Sequence, residues 1–81
     1  MYMNNQVRKK RILDKIEAGE FQDVYDVLKL FGGDIENLED IPLGMRNEPI
    51  RIAEDYTDGM IDGRQSIERL VEFISGIPDE V

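Results

Sequence analysis

The chain has no histidine and no cysteine. Without histidine no side chain is tuned to shuttle protons near neutral pH, and no Ser-His-Asp triad can be assembled. Without cysteine there is no disulfide framework, no thiolate nucleophile and no cysteine-ligated zinc. Secreted domains of this size usually carry disulfides, so the same absence points to the cytoplasm. Aromatics are few, three Tyr and three Phe. No apolar run approaches the ~20 residues of a membrane-spanning helix. The opening MYMNNQVRKKR has basic residues with no apolar stretch behind them, unlike a secretory leader.

What the chain does have is segregated charge. Five of its ten Lys and Arg residues (Arg8, Lys9, Lys10, Arg11 and Lys15) fall within residues 1–15, against the single acid Asp14. Residues 16–81 carry the other five against seventeen acids, so a head of +4 precedes a remainder of −12, for a formal net charge of −8. Such asymmetry bears on partners and solubility rather than on fold. The 81 residues bound the chain to one domain with one core. At 41% apolar and 35% charged it folds with little margin, so a partner or a second copy adds useful stability. The acidity works against nonspecific adhesion to DNA or anionic membranes.

The hydrophobic period is helical throughout. Residues 5–18 place Ile12, Leu13 and Ile16 on one face, with Arg8, Arg11 and Lys15 as a separate stripe, and Gly19 ends the helix. Residues 20–31 put Phe21, Val24, Tyr25, Val27, Leu28 and Phe31 on one broad face, and Gly32-Gly33 reads as its C-cap. Residues 34–45 are predicted as an irregular acidic connector. In it Asp34 caps a short turn, Ile41-Pro42 is extended and Leu43-Gly44 turns. Pro49 marks the first turn of a third helix that buries Ile52, Ala53, Tyr56 and Met60, with Gly59 as its stop. Asp62-Gly63-Arg64-Gln65 reads as a capping box for a fourth helix carrying Ile67, Leu70, Val71 and Ile74, ended by Gly76 and Pro78. A single helix over 49–75 is the alternative, at about 0.5–1 kcal/mol for each interior glycine. The expected fold is all-α: a small four-helix domain with an irregular acidic connector.

Several constellations have both a chemical and a plain reading. Asp58-Gly59-Met60-Ile61 fits the middle of an EF-hand loop, but the ligand positions one, three and twelve would be Glu54, Tyr56 and Gln65, so the closing bidentate glutamate is missing. A corner between two helices explains the same residues. Glu54, Asp58 and Asp62 repeat at i, i+4, i+8, which suits water-mediated Mg²⁺, a basic partner or a merely soluble face. Gly59-x-x-x-Gly63 has the spacing of membrane helix pairs, yet Asp58, Asp62 and Arg64 surround it. Tyr25 and Tyr56 read as core residues with hydrogen-bonded tips. Ser66 and Ser75 have no base tied to them by any motif, so no catalytic residue, cofactor or metal is expected.

Three functional classes follow. The first is a non-enzymatic binding module that inhibits or regulates a larger basic, nucleic-acid-binding partner by imitating a nucleic-acid backbone with spaced carboxylates. Its candidate residues are Asp34, Glu36, Glu39, Asp40, Glu54, Asp55, Asp58 and Asp62. In size and charge alone the chain is similar to small acidic phage or plasmid proteins that bind and block a host protein. The second is a nucleic-acid-binding regulatory subunit that contacts phosphates through Arg8, Lys9, Lys10, Arg11 and Lys15. Pairing of that block with acids inside the domain is its plain counterpart, since no aromatic interleaves it to stack on bases. The third is a structural or assembly homodimer.

Overall fold

The computed structural model describes residues 5–36, 38 and 43–78. They form four helices, α1 (Asn5–Glu17), α2 (Val24–Glu36), α3 (Glu48–Thr57) and α4 (Gly63–Ser75), with one 3-10 turn at Leu43–Met45 before α3. The fold is all-α, as the periodicity predicts. No helix among the described residues is long and apolar enough to cross a membrane. Glu39, Asp40 and the Ile41-Pro42 step lie outside the described residues.

Local signals place most helix ends. Gly19 and Gly59 both adopt φ +78°, the left-handed conformation that glycine takes without strain. After α3 the Met60 amide donates to the Asp55 carbonyl (2.9 Å) and the Gly59 amide to the Tyr56 carbonyl (3.1 Å). These are the two bonds of a Schellman motif. The chain then enters α4 through the expected capping box. The Gln65 amide donates to Asp62 Oδ1 (2.8 Å), and the Asp62 amide donates to Gln65 Oε1 (3.0 Å). Residues 49–75 are therefore two helices. The Schellman turn also overturns the expected burial of Met60. On a continuous helix Met60 would follow Tyr56 by one turn and face inward; instead the chain reverses at Gly59, leaving Met60 75% exposed, and Ile61 packs on the core.

α2 departs from expectation at both ends. It starts at Val24, because Asp23 Oδ1 accepts from the Asp26 amide (3.1 Å) in the N-cap arrangement. Phe21 thus sits ahead of the helix, edge-on to Phe31 with ring centroids 6.2 Å apart. At the other end α2 runs through Gly32-Gly33 to Glu36, and Asp34 is a helical residue instead of a cap. The cause is packing. Ile35 and Leu38 continue the inward row of Val24, Val27 and Phe31, and all five are buried. Burying two such side chains contributes about 1.5–3 kcal/mol each, which outweighs about 0.5–1 kcal/mol for each interior glycine.

One core joins the helices. Ile12 of α1, the inward row of α2, Ile52 and Ala53 of α3, and Leu70, Phe73 and Ile74 of α4 form a single cluster, completed by Ile77. Ser66 of α4 is fully buried within this frame. Its Oγ accepts the Val24 amide (3.0 Å), one of the first-turn donors that α2 cannot satisfy itself, and donates to the Gly63 carbonyl (2.6 Å). Gly63 allows this approach: a Cβ there would collide with the Gln22 carbonyl oxygen.

The two kinds of glycine should respond oppositely to alanine. Gly32→Ala and Gly33→Ala meet open space in a helix and should each stabilise the fold by about 0.5–1 kcal/mol. Gly63→Ala, also in a helix, should destabilise it by about 1–3 kcal/mol by pushing the Gln22 backbone away. Urea unfolding of the three variants checks the signs.

Candidate functional site

The basic head is largely committed within the domain. Lys9 is buried, and its Nζ donates to the Ile77 carbonyl; Asn5 Nδ2 donates to the Pro78 carbonyl (3.0 Å). Both close the C-terminal end of α4, where the helix dipole favours a cation. Arg8 and Arg11 face Asp34 across the α1–α2 seam at 3.9 and 4.0 Å. Lys10 pairs with Asp14 one turn on (2.9 Å), which raises the Lys10 pKa through that hydrogen bond and charge. Lys15 reaches Glu20 (3.5 Å). The exposed pairs are each worth little, about 0–1 kcal/mol. Together they still leave the head without a coherent bare cationic stripe.

The acidic candidates divide. Asp34 belongs to the α1–α2 seam. Asp55 accepts from Arg69 Nη1 (2.6 Å), while Glu48 takes Nη2 of the same guanidinium (3.3 Å). The hydrogen bond to Asp55 is the main cause that raises the Arg69 pKa; burial opposes it, and the hydrogen bond to Glu48 adds to the rise. This bridge ties α3 to α4. Glu36 lies in the last turn of α2, and Glu39 and Asp40 are outside the described residues. Glu54, Asp58 and Asp62 remain, gathered along the last turn of α3 and the corner that follows it, and all three are exposed. Glu54 and Asp58 carry no ion pair among the described residues, and the Asp62 carboxylate caps α4.

Between Asp58 and Asp62 stands Met60, so the corner is an outward thioether flanked by carboxylates. Sequence reasoning placed Met60 inside. The Gly59 stop was the signal that could have exposed it, because a Schellman reversal breaks the helical phase. Among the described residues no group of three or more Asp or Glu is placed to hold a metal ion. The EF-hand likeness resolves into the Schellman turn and the capping box.

The remaining sequence candidates serve the scaffold. Tyr25 is 45% exposed, but its hydroxyl is held by Thr57 Oγ1 (2.5 Å) and the Ala53 carbonyl (3.3 Å). Tyr56 donates to Asp23 Oδ2 (3.0 Å), the free oxygen of the carboxylate that caps α2. That bond, then the Asp23 charge, raises the Tyr56 pKa above its ordinary value. Ser66 is a buried structural hydroxyl, as described above. A groove of about 490 Å³ lies between α2 and α3, and among the described residues Arg46 is the one ionisable side chain lining it. No family model matches the chain, and neither a curated protein nor a solved structure matches it.

The Tyr56–Asp23 bond fixes a pH dependence. A raised folded-state pKa means its stabilisation is complete below the ordinary tyrosine pKa and is lost as pH rises through the folded value. Asp23→Asn keeps a good N-cap residue but should return the Tyr56 pKa toward normal. NMR titration of the ring carbon bearing the hydroxyl reads the shift directly.

Proposed function

We propose that the chain is a non-enzymatic binding module that presents its α3–α4 corner to a basic surface of a larger protein. One observation carries this reading. The head cations have partners inside the domain, whereas Glu54 and Asp58 are exposed, as is Met60 at the same corner, and the two acids are without an ion pair among the described residues. An exposed apolar side chain with Asp58 and Asp62 two residues to either side has the make-up of a contact centre. The tip gains from desolvation, and the carboxylates steer encounter and reject acidic surfaces. A surface evolved to grip phosphates is the natural complement, so the partner is a nucleic-acid-processing protein and the effect is inhibition by occupation of its binding site. This is the mode of small anti-host or anti-defence proteins of phages and plasmids, acting in the cytoplasm.

Two features favour contact over chemistry. Among the described residues the groove offers no pair of titratable groups for acid–base work, and the buried hydroxyl of Ser66 is committed to two backbone groups. A phosphate-binding role for the head is disfavoured by the burial of Lys9 and by the engagement of Arg8 and Arg11 with Asp34.

The test is capture of a basic nucleic-acid-binding protein from the source cell on immobilised chain, followed by displacement of labelled duplex DNA from that protein. The variant Glu54→Lys, Asp58→Lys, Asp62→Ser retains an N-cap acceptor at 62. It should bind at least ~10-fold more weakly, and wild-type binding should fall with salt. Equal capture by the variant overturns the reading. Retardation of DNA by the free chain at low salt would favour the basic head instead.

A further inference from the structure

α1 is held to the molecule by a different kind of contact from the other helices. Among the described residues it gives the buried apolar core one side chain, Ile12, with Leu13 and Ile16 half-buried against it and Val7 47% exposed. Two crevices of about 410 and 280 Å³ open along its seam with α4, and Leu13 and Ser75 line both. The rest of its described attachment is polar. Lys9 Nζ and Asn5 Nδ2 donate to the Ile77 and Pro78 carbonyls, and Arg8 and Arg11 stand 3.9 and 4.0 Å from Asp34. Water replaces such partners on separation, and it does not replace buried apolar contacts. By contrast, α2, α3 and α4 are tied to one another without help from α1. Ser66 Oγ takes the Val24 amide, Tyr56 donates to Asp23, and Arg69 bridges Glu48 and Asp55.

The connection from α1 to α2 suits a hinge. Gly19 holds φ +78°, and Ala18, Gly19 and Glu20 are exposed. Phe21 already belongs to the body, edge-on to Phe31, and the Gln22 amide is bound to Asp26 Oδ2 (3.0 Å). We propose that α1 is a detachable strap, which releases as a unit about residues 18–20 while α2, α3 and α4 stay folded. Its docked state is an autoinhibitory contact on the chain's own cations. Docked, Lys9 is buried and Arg8 and Arg11 face Asp34. Released, all three cations stand in solvent on one basic helix, and Asp34 and the last turn of α4 lose their cover. The α3–α4 corner is the same in both states, so the inference does not rest on the corner's partner.

Native-state hydrogen exchange of the full chain, followed by NMR at urea concentrations below the unfolding transition, tests this. The amides of Ile12, Leu13 and Ile16 should share one exchange rate, at least ~10-fold faster than those of Phe31, Leu70 and Ile74. Their urea dependence should be weaker, because release exposes less surface than unfolding. Tyr56→Phe removes a bond inside the α2–α4 body. It should speed exchange at Phe31 and Leu70 by ~5-fold and leave the α1 amides within ~2-fold. Ile12→Val, a mild change that keeps the fold, should speed both sets by ~3–10-fold, because unfolding of the body follows release. An amine-reactive ester reads the cations directly. It should acylate buried Lys9 more slowly than exposed Lys29, and Ile12→Val should speed the Lys9 reaction alone. The proposal is overturned if α1 exchanges at the rate and urea dependence of Leu70, or if Tyr56→Phe speeds both sets equally. It is also overturned if wild-type Lys9 reacts as fast as Lys29.

Discussion

The fold depends on how the first turn of α2 sits on the first turn of α4. The Val24 amide is an orphan donor at a helix start, and it is buried against Ser66, whose hydroxyl supplies the acceptor. The contact is possible because Gly63 has no side chain to hold off the Gln22 carbonyl. Asp23 completes the junction from the other side, capping α2 with one carboxylate oxygen and taking the Tyr56 hydroxyl with the other. Three helices are thereby located by a few polar atoms in addition to the apolar cluster. A buried unsatisfied donor costs about 1–3 kcal/mol, so the junction is specific as well as stabilising.

Charge is organised around this frame in a way its linear order conceals. The cationic head is a set of fasteners: Lys9 with Asn5 secures the end of α4, and Arg8 with Arg11 secures α2 through Asp34. Arg69 performs the same service between α3 and α4. At the α3–α4 corner Glu54 and Asp58 meet solvent without an ion pair among the described residues, as Glu17 and Glu72 do elsewhere. The molecule therefore has two outward faces of different character, an acidic corner carrying Met60 and an apolar groove walled by Ile50.

The parts that were legible in the sequence are those governed by neighbours a few residues apart. The Gly19 and Gly59 stops, the Pro49 start and the Asp62–Gln65 capping box are all local chemistry, and each is where the pattern put it. The end of α2 was illegible because Gly32-Gly33 is a local stop signal overruled by distant burial of Ile35 and Leu38. Met60 was misplaced by extending a helical phase through a reversal. The committed roles of Lys9, Asp34 and Asp55 rest on contacts between helices, most of them far apart in the chain. Spacing along a sequence does not encode such contacts. The same reasoning explains why the five candidate acids whose side chains are described, Asp34, Glu54, Asp55, Asp58 and Asp62, reduce to a corner of three. Which carboxylates share a face is decided by helix packing, and Arg8, Arg11 and Arg69 had already taken two of them.

The outward thioether of Met60 gives the corner a redox chemistry of its own. An oxidant reaches that sulfur without opening the core, and conversion to the sulfoxide replaces an apolar tip with a polar, chiral one. The backbone reversal beneath it is held by the Asp55 and Tyr56 carbonyls and not by the side chain, so it would persist. Peroxide could thus alter what the corner adheres to while leaving the helical scaffold intact, and methionine sulfoxide reductase would restore it.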